Sequence, residues 1–342
     1  MVRALSVRDS RSFGWVTIEL AGIVLILAAL HLASPIFDPI FLAVVLALIF
    51  WPLYVRLRAR KIATPLALTL MLIGMLVACG LLAALLAYSI SGLIAGLGTY
   101  AANWSAHMAQ VDAWLRSLGF TDADLSSAVS TEDAANLLAG LVGGIAGLLS
   151  QAALVLLLML FFLGEGAAIV SRLRATLGEG SPGVQTLTGY GRDVSRYFAL
   201  RAAVNAVTGA GVALVLFLLG VDFPLLWGVL TFFLSFIPYV GMFLASVPSV
   251  LLAFAEFDLT RALIVAVALT VVNALAENLV QPMLMSRGLH LSPTFVFASV
   301  VFWTFLLGGP GAFLAVPLLL GMVAIASSFS STRWLAAVAA DK

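Results

Sequence analysis

Residues 236–248 read FIPYVGMFLASVP, a run apolar enough for lipid that nevertheless holds two prolines, a glycine and a tyrosine. Proline removes a backbone donor and clashes with the preceding helical turn. Hydrocarbon offers no water to repair that loss, so irregular backbone survives at membrane depth only against protein or a water-filled cavity. The stretch therefore predicts a break in a membrane-embedded helix. Such a break lines a pathway, or it is a proline kink sealed by neighbouring helices.

The composition around it fits a bilayer. The 342 residues are 63% apolar and only 10% charged, with a mean hydropathy of +1.16. Soluble domains keep about 25% charged residues, and several apolar runs here exceed the roughly 20 residues that cross a bilayer. The predicted fold class is an all-α polytopic membrane protein: six long spans and two Gly/Pro-broken helical hairpins. The net charge of +1 names no partner, and nothing points to nucleic acid. The one cysteine, Cys79, allows no intrachain disulfide.

Basic residues mark the cytoplasmic side. Arg3, Arg8 and Arg11 precede span 1 (16–32); a turn, SPIFDP with Asp38, leads to span 2 (40–57), which ends at Arg56, Arg58, Arg60 and Lys61. Span 3 (64–97) leads to residues 100–136, which carry Asp112, Asp122, Asp124, Glu132 and Asp133 against one basic residue, Arg116. That segment is expected outside, with Trp104, Met108, Val111, Leu115 and Leu118 as the packing stripe of an amphipathic helix. Span 4 (137–162) returns to Arg172 and Arg174. A basic cytoplasmic helix over 171–201 with Arg192, Arg196 and Arg201 is then expected, followed by span 5 (202–219) and span 7 (262–285), the latter ending at Arg287 and His290. Three divisions follow: membrane helices over 1–99, an extracytoplasmic segment over 100–136, and a core over 137–342. With Arg201, Arg287 and Arg333 all inside, the blocks 225–255 and 295–327 each cross an even number of times, as hairpins entering from opposite faces.

The two blocks share a signature. GMFLASVP (241–248) and GAFLAVP (311–317) both read Gly-x-Phe-Leu-Ala and then Val-Pro, with Ser246 inserted. Paired Gly/Pro-interrupted segments in two halves of a chain are the best sequence pointer to a transporter's binding site.

FIPYVG with Pro248, ENLVQPMLMSRGLHLSP (277–293) and the terminal GGPGAFLAVPL resemble, in order and spacing, the hallmarks of the autoinducer-2 exporter family of permeases. The likeness runs from about residue 161 to 323, with Met242 and Met283 departing from the usual pattern. It implies a multi-pass protein of the bacterial cytoplasmic membrane, and the basic residues put both termini in the cytoplasm. It also implies export of a small polar metabolite or signalling molecule and a homo-oligomer, possibly a pentamer.

The candidate pathway residues are Pro238, Tyr239, Gly241, Asn273, Glu277, Asn278, Gln281, Pro282, Gly309 and Gly311. Asn273, Glu277 and Gln281 fall at i, i+4 and i+8, one stripe of a helix. A carboxylate at the bilayer centre costs about 2.5–3.5 kcal/mol on insertion scales, so Glu277 faces water, pairs with a cation or keeps its proton. It is the leading candidate for proton or sodium coupling; interhelical hydrogen bonding is the other reading. Asp222, Glu256, Asp258 and Arg261 read as loop-end caps, and His31 as interfacial. His31, His107 and His290 are scattered without HExxH, no G-x-S-x-G elbow occurs and no Walker loop is present. The chain therefore reads as no enzyme and no ATP-driven pump, without metal or cofactor beyond a coupling H+ or Na+. A sodium–proton antiporter and an oligomeric channel remain the alternatives.

Overall fold

The computed structural model describes residues 21–22, 24–118, 131–178, 180–284, 291–329 and 332–339. Arg3, Arg8, Arg11, Asp122, Asp124, Arg287 and His290, all read above, lie outside them. Among the described residues there are helices and no strand. A helical segment over 24–32 leads into α1 (Ser34–Ala59), α2 (Thr64–Ser117), α3 (Thr131–Leu177) and α4 (Pro182–Leu219). Then come α5 (Pro224–Leu234), α6 (Gly241–Glu256), α7 (Leu259–Leu275), α8 (Pro293–Ser328) and α9 (Arg333–Ala339). Beyond Leu275, α7 continues through a π turn at Ala276–Val280 to Gln281–Leu284.

Among the described residues six helices are long and apolar enough to cross a membrane, and the chain is a multi-pass membrane protein. Five of the six contain or overlap spans 2, 3, 4, 5 and 7; the sixth is α8, and only part of span 1 is described. Local signals set the ends. Prolines open α1, α2, α4, α5 and α8, where a missing donor is harmless. Ser181 Oγ accepts the Val184 N–H at the start of α4. Gly220, at φ 77°, ends α4 in a left-handed cap.

Three boundaries differ from the sequence reading. SPIFDP is no turn: α1 begins at Ser34, and Asp38 is buried within it. The segment from residue 100 continues α2 unbroken to Ser117, making one helix of 54 residues, about 81 Å at 1.5 Å per residue. Its stripe packs as an extension of the span, Trp104 lying 4.9 Å edge-on from Phe254 beside Ala255 and Ala262. The third concerns Arg201, which sits at the centre of α4 and is 9% exposed, not at a cytoplasmic helix end. The positive-inside rule counts loop residues, and an arginine with partners can be buried.

Both blocks form hairpins. α5 runs antiparallel to α4 in register: Gly209 meets Gly228, Asn205 donates Nδ2–H to the Phe232 carbonyl at 3.1 Å, and Arg201 reaches the Ser235 carbonyl. The facing glycines let the backbones touch, as at small-residue membrane interfaces. α6 then returns. In α8 the chain breaks at Gly308 (φ 65°, ψ −144°), and Ser299 Oγ donates to the Ala315 carbonyl at 2.8 Å. Sixteen residues of straight helix would separate these by about 24 Å, so the limbs fold together. The second limb packs Leu314 and Leu320 with Val194 and Phe198 of α4, and Tyr190 lies near Gly321. The hairpins thus approach the middle of α4 from its two ends.

At the base of the first hairpin the Glu256 carboxylate accepts the Asp222 N–H at 3.1 and 3.2 Å, and Tyr100 donates to Asp222 Oδ2 at 2.7 Å. Asp258 caps α7 by accepting the Arg261 N–H at 2.7 Å. Burial pushes the Glu256 carboxyl up to about 7, against the opposing pull of the Asp222 N–H and with help from the Asp222 charge. The folded chain therefore holds this proton more tightly than the unfolded one. Its stabilisation is complete below about pH 4.5 and is lost as pH rises through about 7. The thermal midpoint in detergent should fall across that window, and Glu256→Gln should flatten the fall.

Candidate functional site

Arg201 stands about 27 Å from either end of α4, where α5 stops and leaves carbonyls without helical partners. Its Nε–H donates to the Ser235 carbonyl at 3.1 Å. Its Nη1 donates to Glu277 Oε1 at 3.0 Å and to Gln281 Oε1 at 2.9 Å. One guanidinium thus joins the tip of the first hairpin to α7, and Glu277 takes a cation partner, one of the three solutions that its depth allows.

The π turn places these groups. A π turn widens the helix by one residue and is frequent at functional sites; here it holds Glu277. Asn278, exposed, folds its side-chain N–H back to the Ala274 carbonyl at 2.8 Å and does not join the cluster. The Asn273 side chain, two turns before Gln281 in the expected stripe, makes no hydrogen bond among the described residues, and Pro282 is exposed.

The second hairpin's break is handled in a parallel way. His31 Nδ1–H donates to the Leu306 carbonyl at 2.8 Å, and its ring stacks 6.3 Å from Phe305. The left-handed residue is Gly308, whereas Gly309 has open space around it. Gly241 and Gly311 play matching parts. Each opens its hairpin's second limb, and a Cβ there would overlap the carbonyl of Leu234 or Trp303 on the first.

Aromatic rings close the space between the tips. Phe198 of α4 lies 5.8 Å from Phe236 and 5.2 Å from Phe313, which are themselves 5.8 Å apart. Tyr239, 60% exposed at φ 65° beside Pro238, sits edge-on to Phe297 at 6.0 Å. The repeat is not strict here: Phe243, the counterpart of Phe313, is exposed.

Two buried polar atoms at this level have no hydrogen-bond partner among the described residues: Ser235 Oγ at the first tip and Asp38 Oδ1 on α1. Among the described residues no three metal-ligating side chains gather. The structure brings Glu277 and Gln281 together on Arg201, sets Gly241 and Gly311 each against the first limb of its own hairpin, and leaves Asn273, Asn278 and Pro282 outside the cluster. Sequence reasoning missed Arg201, Ser235, Asp38, His31 and Gly308. Only Arg201 left a usable signal: a mid-depth carboxylate calls for a cation at matching depth.

A model of the AI-2E family transporters matches residues 20–330. The chain is 31% identical over 194 residues to the AI-2 transport protein TqsA of Escherichia coli K12, covering 57% of this chain and 56% of TqsA. It is 29% identical over 190 residues to YhhT of the same organism, a protein whose name assigns it to transport provisionally, covering 56% and 54%. The chain thus spans about half the length of the curated relatives it matches.

Proposed function

The chain belongs to the AI-2E family of transporters, and we propose that it is a secondary transporter exporting a small polar metabolite or signalling molecule across the bacterial cytoplasmic membrane. The observation that carries this reading is the Arg201–Glu277–Gln281 cluster between two broken hairpins. Broken-helix sites near mid-membrane are where transporters bind solute and coupling ions. The name of TqsA makes the autoinducer-2 signal the first substrate to try.

A polar solute presenting hydroxyl, carbonyl or carboxylate oxygens competes with Ser235, Glu277 and Gln281 for the Arg201 donors, and Ser235 Oγ is free to bond it. Engagement would loosen the tie between the first hairpin and α7. Movement of that hairpin along the α4 ladder then changes which side reaches the site. Proton or sodium entry at a carboxylate would couple the cycle to a gradient, since no nucleotide motif supplies energy. In this proposal both termini lie in the cytoplasm, and the exposed apolar faces meet lipid and further copies in a homo-oligomer.

Reconstituted flux of a metabolite panel, with and without a pH gradient, tests this. Saturable, gradient-dependent efflux is the expected result. High unitary current without saturation would establish the channel alternative, and sodium–proton exchange without solute flux the antiporter.

A further inference from the structure

We infer that Asp38 carries the transported proton, bound opposite the Gly308 turn of the second hairpin; the inference rests on the transport reading above for its role, though not for its site.

The placement follows from its neighbours on both sides. Seven residues before Asp38, His31 holds the Leu306 carbonyl and stacks on Phe305. Three to seven residues after it, Phe41, Leu42 and Val45 pack in one cluster with Phe313 and Leu314. The chain from 31 to 45 therefore follows the second hairpin around its turn, and Asp38 falls opposite residues 308–311. Asp38, Phe41, Leu42 and Val45 share a helix face, and Val45 packs against Val194 and Phe198 of α4. Asp38 is 9% exposed, and its Oδ1 meets no partner among the described residues.

Among the described residues the charges nearby leave it alone. α8 contains no Asp, Glu, Lys, Arg or His, and α3 contains none between residues 138 and 164. On α4 the titratable groups toward this level are Arg201, committed to Ser235, Glu277 and Gln281, and Tyr197, while Arg192 and Arg196 are exposed. Asp193 and Tyr190 lie toward the far end of α1. α2 offers Cys79, half-buried, and Tyr88, exposed. His31 is held by Leu306. Glu277, by contrast, has its cation.

A buried carboxylate without a cation or donors is unfavourable, while the protonated acid needs only one acceptor. The Gly308 break supplies acceptors, because the last carbonyls of a helix limb lose their amide partners. Protonated, Asp38 donates its O–H to that turn and holds the hairpin against α1. Once water reaches the turn, the proton leaves to water and the charged carboxylate becomes stable in the wetted site. Proton release and hairpin opening are thus one event.

Infrared pH titration of the full chain in liposomes tests the site directly. With Glu256→Gln as the background, which removes the other carboxyl raised by burial, a titrating protonated-carboxyl band should be present, should survive added Glu277→Gln, and should vanish on adding Asp38→Asn. Flux in the same liposomes should lose at least tenfold of its pH-gradient dependence in Asp38→Asn while downhill flux persists, and Asp38→Glu should restore the dependence. A titrating band unchanged by Asp38→Asn overturns the assignment. A lost band with gradient dependence intact overturns the coupling role. Absent flux in every protein, with the band behaving as expected, counts against the transport reading and leaves the proton site standing.

Discussion

Glu277→Met should destabilise the protein by about 3 kcal/mol, and adding Arg201→Met should recover most of that loss while transport stays abolished. Removing one partner of a buried ion pair leaves the other charge uncompensated, which costs about 3–5 kcal/mol. The lower end applies because the Glu277 side chain is 37% exposed against 10% for Arg201. With Glu277 gone, Arg201 keeps only the neutral oxygens of Ser235 and Gln281. Replacing both ions with apolar residues of similar length removes the buried charge altogether, and such exchanges are often neutral or stabilising. Thermal unfolding in detergent reads stability, and reconstituted flux reads function. If the double variant were stable and transported like wild type, the cluster would be structural glue, and the proposed solute site would have to lie elsewhere.

Gly308→Ala, Gly241→Ala and Gly311→Ala should each destabilise by about 1–3 kcal/mol, for two different reasons. At Gly308 the backbone occupies a region open essentially to glycine alone, and a side chain there is strained by about 1–3 kcal/mol. At Gly241 and Gly311 the φ is ordinary, and the penalty is overpacking, about 1–3 kcal/mol, because the new methyl meets a backbone carbonyl that no rotamer change can move. Gly98→Ala, inside α2 where nothing lies within 4 Å, is the control and should hold or slightly raise the melting temperature, since alanine is the better helix former. Equal tolerance at Gly98 and Gly241 would mean that the hairpin limbs stand farther apart than described.

The second prediction marks what was legible. The shared Gly-x-Phe-Leu-Ala pattern picked out Gly241 and Gly311 because close backbone approach leaves a composition trace: no other residue fits. Gly308 escaped because three glycines in GGPG are equivalent on paper, and only the path of the chain says which one turns. Glu277 and Gln281 were readable because helical spacing of four is local. Arg201 reads in sequence as the end of a basic helix, whereas it is buried at the centre of α4. A basic residue beside an apolar run looks the same whether it meets lipid headgroups or a carboxylate 76 positions away. Asp38 was assigned to a turn because SPIFDP has turn composition, yet two prolines also suit the first turns of a helix whose neighbours hold it.

The sequence alone determined that this chain is helical, crosses a membrane and interrupts two of its apolar stretches. Scarcity of charge, length of apolar runs and the missing proline N–H are properties of the chain itself, independent of what folds beside what. Only the tertiary structure decided that both breaks converge on the centre of α4, that Arg201 binds Glu277 there, and that Asp38 Oδ1 has no partner among the described residues. Pairing across tens to hundreds of residues depends on which helix faces meet, and that is fixed by packing.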